Sequence, residues 1–325
     1  MKKVLVAGGG GFIGGYLVKK LISVGHQVTA VDVKPFEEWY QVHAEASNFS
    51  RDLALLNECE KSMKGIDEVY NLAADMGGMG FIENNKAACM LSVLINTHLL
   101  MAAKDNNVKR FFYASSACVY NASKQVSEDN PGLKEEDAYP AMPEDGYGWE
   151  KLFSERMCRH FYEDYGIETR VARYHNVYGP LGTWDGGREK APAALARKVA
   201  KAKIESSKKI EIWGDGEQTR SFTYIDDCIE GTLRLMESNI REPINIGSDQ
   251  MVSINQMVDI LETIAGIGLD REYNLNAPKG VRGRNSDNTL VQELMDWKPT
   301  ITLEDGLRKT FDWIFGEILG KKDGK

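Results

Sequence analysis

Tyr147 and Lys151 stand four residues apart in a segment that continues with helix-forming residues. Because side chains at this spacing lie on one face of a helix, the phenol and the ammonium are expected to be neighbours. A tyrosine has an ordinary pKa of about 10, and a fixed cation beside it stabilises the phenolate and lowers that pKa. The pair could therefore exchange a proton with a substrate hydroxyl near neutral pH. Exposed helices without chemistry carry the same spacing, so the elements around the pair must decide.

Two further reactive groups follow a predicted buried strand. The run from Arg110 to Ser115 is apolar in character and leads directly into Ser116 and Cys118. Ligands of open α/β sheets bind beyond the carboxyl ends of the strands, so both side chains are well placed for a substrate. Cys118 has a second interpretation, as a small buried hydrophobic residue.

The first 32 residues predict a dinucleotide site. A short apolar strand over 4–7 leads into the glycine cluster 8–15, a helical pattern follows, and a second strand over 28–31 ends at Asp32. Small residues at this strand-to-helix turn let the backbone approach a pyrophosphate, which then sits on the helix N-terminus. A carboxylate at position 32 can bind both hydroxyls of an adenosine ribose and would repel a 2'-phosphate. We therefore expect NAD and not NADP.

The alternation of strands and helices through residue 174 predicts an α/β fold, a doubly wound parallel-sheet Rossmann domain. Beyond it the sequence becomes loop-like, with helices expected over about 193–202, 254–265 and 303–318. We predict an NAD-binding domain of residues 1–174 and 221–250 and a smaller mixed α/β substrate domain of residues 175–220 and 251–325. The charged tail 320–325 is expected to fray.

Composition narrows the possible partners and location. The chain has 325 residues, a net charge of -8 and no long basic block, so neither nucleic acid nor an anionic membrane is an expected partner. Its five cysteines form no Cys-x-x-Cys pair and its five histidines lack metal-ligand spacing, so no metal site is expected and a reducing cytoplasm fits best. The apolar start is too short for a signal peptide, and no stretch reaches the roughly 18 apolar residues of a membrane span.

The three motifs together resemble those of the extended short-chain dehydrogenase/reductases, in particular nucleotide-sugar epimerases and dehydratases. They are the spacing of Gly8, Gly11 and Gly14, the strand end 115–120, and Tyr147 with Lys151. The segment 214–222 resembles that family's later substrate-side motif. A closer resemblance, to the GDP-mannose 3,5-epimerase branch, covers the segments 74–82, 112–118, 182–184, 187–194, 218–223 and 280–287.

The resemblance implies a tightly bound, recycled NAD and a GDP-sugar substrate. Tyr147 would act as the base at O4 of the substrate sugar, and Ser116 would form a hydrogen bond with the same oxygen. Lys151 would bind the nicotinamide ribose. At the neighbouring carbons, C3 and C5, Cys118 would be the base and Lys190 the acid. The implied cofactor-binding residues are Gly8, Gly11, Phe12, Ile13, Gly14, Asp32, Asp52, Leu53, Ala73, Tyr147 and Lys151. The implied substrate-binding residues are Gly77, Ser116, Ala117, Cys118, Asn176, Glu189, Lys190, Ala191, Lys198, Gln218, Thr219, Arg220 and Arg284.

Some expectations rest on individual positions. An alanine, which that branch can carry at Gly14, is expected to alter helix packing little. His175 is expected to be a structural histidine and not a base. Helices after Asn85 and Gly146 are apolar enough to pair with copies of themselves, so a homodimer is expected.

Two other functions stay open at this point. The first is a 4-epimerase or 4,6-dehydratase acting on another nucleotide sugar; a dehydratase needs a carboxylic acid near Ser116, and the sequence after Ser116 offers none. The second is an NAD-binding sensor without turnover, a class that usually loses the Tyr or the Lys.

Overall fold

A computed structural model of the chain describes residues 1–323. Its largest element is a seven-stranded sheet in which every neighbouring pair is parallel. The strands of this sheet are β1 (Lys3–Ala7), β2 (Gln27–Asp32), β3 (Ser47–Ser50), β4 (Glu68–Asn71), β5 (Arg110–Ser116), β6 (Glu168–Tyr174) and β11 (Ile244–Ile246). The predicted α/β doubly wound fold is confirmed.

The strand order is β11-β6-β5-β4-β1-β2-β3. From β1 the chain adds strands first on one side and then on the other, so the order reverses between β1 and β4. A reversal of this kind opens a crevice at the carboxyl ends of the two strands. Gly8 follows β1 at this point, and a side chain on Gly8 would meet the backbone of Ala73, 2.9 Å away.

Helices cover both faces of the sheet. They are α1 (Phe12–Ser23), α2 (Leu56–Met63), α3 (Met79–Asn84), α4 (Lys86–Asp105), α5 (Asp145–Tyr165), α6 (Ala191–Glu205), α7 (Ile225–Glu237), α8 (Ile254–Ala265), α9 (Thr289–Met295) and α10 (Leu303–Asp323). Successive side chains of a strand point to opposite faces. Accordingly Val4 and Val6 of β1 pack into one hydrophobic cluster, whereas Leu5 and Ala7 pack into the other.

The remaining strands form three small sheets beyond β6. They are β7 (Val177–Tyr178) with β10 (Thr223–Tyr224), β9 (Thr219–Ser221) between β12 (Met251–Ser253) and β14 (Gly283–Arg284), and β8 (Lys209–Trp213) with β13 (Asp270–Asn274). The predicted division into two domains stays a prediction. The large sheet draws its strands from residues 3–174 and 244–246, and the three small sheets draw theirs from residues 177–284.

Several local expectations need correction. β3 was missed because its residues are polar and mostly exposed, as on an unprotected sheet edge. Residues 320–323, expected to fray, continue α10, and residues 324–325 lie outside the described part of the chain. Within residues 1–323, α4 is the one helix with the length and mean hydropathy (1.4) to cross a membrane. Its buried side chains, among them Leu99 and Leu100, pack in the layer over the sheet.

Candidate active site

A cavity of about 1110 Å³ lies at the carboxyl ends of the central strands. It is lined by every residue predicted to bind the cofactor, and by Ser116 and Lys190 of the predicted catalytic set. The cofactor group comprises Gly8, Gly11, Phe12, Ile13, Gly14, Asp32, Asp52, Leu53, Ala73, Tyr147 and Lys151. Residues from β1 to α6 therefore meet around one space large enough for a dinucleotide and the sugar of a substrate.

The glycine turn fits a pyrophosphate. Gly8 has φ = +81°, a conformation that other residues seldom adopt. No side chain caps the N-terminus of α1 at Gly11, so the first N–H groups of this helix stay available to an anion. A Cβ on Gly14 would lie 2.0 Å from the carbonyl oxygen of Gly8. The expectation that alanine at position 14 alters helix packing little is therefore wrong for this backbone, because the turn would have to move.

Asp32 ends β2 at the rim of the same cavity and is 9% exposed. One carboxylate oxygen accepts the backbone N–H of Lys34 at 3.1 Å, which fixes the orientation of the group. The second oxygen accepts no hydrogen bond from the described residues. Asp32 is thus placed to accept the hydroxyls of a ribose, and the chain's residues fit NAD.

Tyr147 and Lys151 lie on one face of α5 and are both buried. The ammonium of Lys151 is 5.5 Å from the ring centroid of Tyr147 and 3.4 Å from a carboxylate oxygen of Glu150. Burial raises the pKa of Tyr147 well above its ordinary value, and the nearby Cys118 and Glu150 raise it further. The expected lowering by Lys151 does not appear, because burial dominates and Glu150 offsets the charge of the lysine.

Ser116 and Cys118 are brought together at the end of β5. A 3-10 turn over Ala117–Val119 follows the strand, and the Cys118 N–H donates to the Ser116 hydroxyl at 3.2 Å. The Cys118 carbonyl accepts the N–H of Glu144 at 3.0 Å. Gly148 lies so close that a Cβ there would be 2.4 Å from the same carbonyl oxygen. The absence of a side chain at Gly148 therefore lets α5 bring Tyr147 against the turn that carries Cys118.

Lys190 reaches the site from the loop before α6. Two loops hold it there: Asp75 pairs with Arg188 at 2.6 Å, and the Gly78 N–H donates to the Arg188 carbonyl at 3.0 Å. The Lys190 ammonium makes no hydrogen bond or ion pair with residues 1–323. Burial lowers the pKa of Lys190, and the field of Cys118 opposes this. The amine and the thiol, remote in sequence, thus act on one another electrostatically.

The two arginines predicted to bind a diphosphate have different surroundings. Arg284 is 4% exposed, and its guanidinium contacts Gln125, Cys118 and Glu144. These contacts differ from those expected of a phosphate ligand, because a carboxylate already neutralises the charge. Arg220 has no carboxylate within 4 Å among the described residues, and its N–H groups donate to backbone carbonyls. Burial, together with Arg284, lowers the pKa of Arg220 to about 10. A half-buried guanidinium without a carboxylate partner within 4 Å is well suited to an anionic ligand.

The other predicted substrate ligands lie around this region and mostly contact protein. Lys198 pairs with Glu211, and the Glu189 carboxylate pairs with Arg197 at 2.5 Å. Amide or hydroxyl groups of three more donate to backbone carbonyls: Asn176, Gln218 and Thr219. Gly77, Ala117 and Ala191 offer no side-chain donor, and their predicted part is only to line the site. The substrate role of all these residues stays a prediction.

Sequence reasoning missed three groups at the site: Gln125 and Glu150, which are buried, and Glu144, which is partly exposed. Glu144 and Glu150 stand three residues before and after Tyr147, so helical spacing alone could have found them. No local pattern announces Gln125, whose amide meets Arg284 only through the fold. The structure does bring one carboxylate, Glu144, to the neighbouring Cys118, where it is paired with Arg284. His175 is fully buried, and burial lowers its pKa to about 3, which fits the structural role expected of it.

Comparison with known proteins agrees with this site. Residues 4–247 match the NAD dependent epimerase/dehydratase family. The chain is 50% identical to GDP-mannose 3,5-epimerase 1 of Oryza sativa subsp. japonica, over 98% of this chain and 83% of that protein. It is 48% identical to GDP-mannose 3,5-epimerase of Arabidopsis thaliana, over 98% and 84%. The crystal structure of UDP-glucuronic acid 4-epimerase from Bacillus cereus in complex with UDP-glucuronic acid and NAD superposes with a TM-score of 0.82 at 27% identity, over 97% of this chain and 99% of that one.

Proposed function

This chain belongs to the NAD dependent epimerase/dehydratase family, and from that premise we propose that it epimerises GDP-mannose at C3 and C5. The product is GDP-L-galactose, with GDP-L-gulose as the product of inversion at C5 alone. One observation carries the proposal: Lys190 lines the same cavity as Tyr147 and Ser116, and the thiol of Cys118, in the turn just after Ser116, lies close enough for its charge to act on the Lys190 amine. Two groups with transferable protons are what inversion next to a ketone requires.

The hydrogens on C3 and C5 of a hexose are not acidic until C4 becomes a ketone. Tyr147 as phenolate accepts the O4 proton, and the Ser116 hydroxyl donates a hydrogen bond to the same oxygen. The glycine turn, Asp32 and Lys151 would hold NAD, which would accept the hydride from C4 at this stage. Since burial raises the pKa of Tyr147, the reaction depends on the cation of Lys151 becoming effective in the loaded site.

Proton exchange beside the ketone needs groups on both faces of the ring. The Cys118 thiolate removes the proton from the carbon, and the electron pair of that C–H bond moves into the C4 carbonyl. The Lys190 ammonium delivers a proton to the opposite face of the same carbon. The hydride taken from C4 in the first step would return from the bound nicotinamide to C4, and Tyr147 returns its proton to O4, which restores the C4 hydroxyl.

Heavy water tests the proposal directly. GDP-mannose incubated with the enzyme should gain deuterium at C3 and C5, as measured by NMR of the recovered nucleotide sugar. Cys118→Ala should abolish the exchange but still produce reduced nicotinamide absorbance from oxidation at C4. Cys59→Ala, a buried cysteine on α2, is the matched control and should exchange like the wild type. Absence of exchange at both carbons in the wild type would refute the proposal.

A second candidate is a 4-epimerase acting on a UDP-sugar, as the name of the superposed structure says of that protein. Such an enzyme needs no thiol or amine for proton exchange, so Cys118→Ala would retain full turnover. A panel of GDP- and UDP-sugars separates the two candidates. Turnover confined to a UDP-sugar would favour the 4-epimerase.

We also propose a homodimer. Helices α4 and α5 pack on one another and expose apolar side chains to solvent: Met90, Leu91, Leu94, Met101, Trp149 and Phe153. Exposed apolar side chains gathered on two packed helices are typical of an interface, and a second copy would cover them with the same two helices. Light scattering should give twice the chain mass, and Phe153→Lys should give the monomer. A cytoplasmic location is proposed too, supported by the unpaired state of all five cysteines.

A further inference from the structure

Arg284 lies in strand β14, which packs closely against the loop of residues 125–127. In β14 a Cβ on Gly283 would lie 2.0 Å from the carbonyl oxygen of Ser127. The N–H of Arg282 donates to the Gln125 carbonyl at 3.0 Å, and the Nε of Arg284 donates to the Gln125 side chain at 2.6 Å. The guanidinium therefore has little freedom to swing toward another ligand.

The two terminal nitrogens of Arg284 face a carboxylate and a sulfur. Nη2 is 2.6 Å from an oxygen of Glu144, and Nη1 is 3.5 Å from the Sγ of Cys118. All three groups are largely shielded from water, with side-chain exposures of 5% for Arg284 and 14% for Glu144, and Cys118 is 8% exposed. Charges at these distances interact strongly because little solvent screens them.

The sulfur is surrounded by charged and titratable groups from several elements. Glu144 reaches it from the residue before α5 and Tyr147 from α5 itself. Arg284 comes from β14, Arg220 from β9 and Lys190 from the loop before α6. Cys89 of α4 lies in the same hydrophobic cluster as the thiol. Burial raises the pKa of Cys118, Arg284 lowers it, and Glu144 raises it. Arg284 is thus the strongest stabilising influence on the thiolate, and Glu144 opposes it.

We propose that Glu144 and Arg284 are positioning residues that set the reactivity of Cys118, with Arg284 as the cation facing the sulfur and Glu144 as the counter-charge that limits its effect. The inference rests on the proposed function, in which Cys118 is the base. It assigns to Glu144 a role that the sequence did not indicate. It also separates the two arginines of the site: Arg284 serves the thiol, and Arg220 remains available for the diphosphate.

Alkylation by iodoacetamide measures the thiolate without any turnover. The thiolate forms a bond to the methylene carbon, iodide leaves, and the thiol proton passes to solvent. Peptide mass spectrometry of the NAD-loaded enzyme follows the reaction at Cys118 across a pH series. The other four cysteines are fully buried and serve as internal references.

Removing the counter-charge should make the thiol more acidic. For Glu144→Gln, which keeps the size and a hydrogen-bond acceptor for Arg284, we expect the alkylation midpoint to fall by about one pH unit. For Arg284→Gln we expect it to rise by a similar amount. Glu83→Gln removes a carboxylate of α3 outside this cluster and should leave the midpoint unchanged.

A Glu144→Gln midpoint equal to or above that of the wild type would overturn the inference. Should Arg284→Gln fail to fold, Arg284→Lys takes its place. This variant keeps the positive charge, so its alkylation midpoint should rise by less than the roughly one pH unit expected for Arg284→Gln. The Glu144→Gln result decides in either case. Deuterium exchange at C3 and C5 is measured on the same wild-type sample. No exchange together with a shifted midpoint would refute the proposed function alone, whereas exchange with an unshifted midpoint would refute the role of Glu144 and Arg284 alone.

Discussion

Gly148→Ala is the substitution for which the structure gives the clearest quantitative expectation. The new Cβ would lie 2.4 Å from the Cys118 carbonyl oxygen and 3.0 Å from a carbon of Pro143. Ordinary contacts begin near 3.4 Å, so α5 and the turn must separate by about 1 Å. That displacement moves Tyr147 away from Cys118. A misplacement of about 1 Å can cost roughly a hundredfold in rate, and overpacking costs about 1–3 kcal/mol of stability.

The assay is kcat/KM for GDP-mannose with deuterium exchange, alongside thermal unfolding and the NAD content of the purified protein. We expect kcat/KM to fall about a hundredfold. Most of the bound NAD should be retained, because the glycine turn and Asp32 are not touched and only the contact from Lys151 of α5 is displaced. Gly316→Ala in α10 is the matched control: nothing lies within 4 Å of its new Cβ, so activity should be kept and stability should rise by about 0.5–1 kcal/mol. Wild-type activity and stability in Gly148→Ala would refute the close approach of α5 and the Cys118 turn.

Three further predictions test the cofactor site and the core. Asp32→Asn should weaken NAD binding by about 2 kcal/mol through loss of a charge-assisted hydrogen bond, and it should reduce the ratio of the affinity for NAD to that for NADP. Titration calorimetry measures both affinities, and unchanged values would contradict the ribose contact. Arg173→Met should destabilise the protein by about 3–5 kcal/mol in urea unfolding, because it leaves the buried Glu155 carboxylate without its partner at 2.7 Å; adding Glu155→Leu should restore part of the loss. His175, with its pKa lowered to about 3 by burial, stays neutral in the fold but takes up a proton in the unfolded chain below about pH 6.5. Stability should therefore fall by about 1.4 kcal/mol per pH unit from this group on acidification below 6.5; His175→Gln should flatten that slope, and the exposed His160→Gln should not.

The cofactor half of the site was predictable because its signals are local. A buried strand, a glycine turn and a helix follow one another along the chain, so the spacing of Gly8, Gly11 and Gly14 already places an anion on a helix N-terminus. Helical periodicity likewise puts Tyr147 and Lys151 on one face. The edge strand β3 could not be predicted in this way, because its residues are polar and no hydrophobic pattern marks it.

Electrostatics was the part that local pattern predicted least well. The spacing of Tyr147 and Lys151 predicted a lowered tyrosine pKa, but the fold buries both and places Glu150 beside the ammonium. A pKa depends on desolvation and on every charge nearby, and those charges arrive from several elements. Arg284, expected at the diphosphate, faces the Cys118 sulfur for the same reason.

By itself, the sequence determined a doubly wound sheet and an NAD site, and it predicted Asp32 as the ribose ligand and Tyr147 with Lys151 as the pair for chemistry at a hydroxyl. Each of these follows from residues close together in the chain, whose relative positions a strand or a helix fixes. Only the tertiary structure decided that Arg284 lies against Cys118, 166 residues away, and how Lys190 is held near that thiol. Contacts between distant segments depend on how side chains of many elements pack, and no spacing along the chain carries that information.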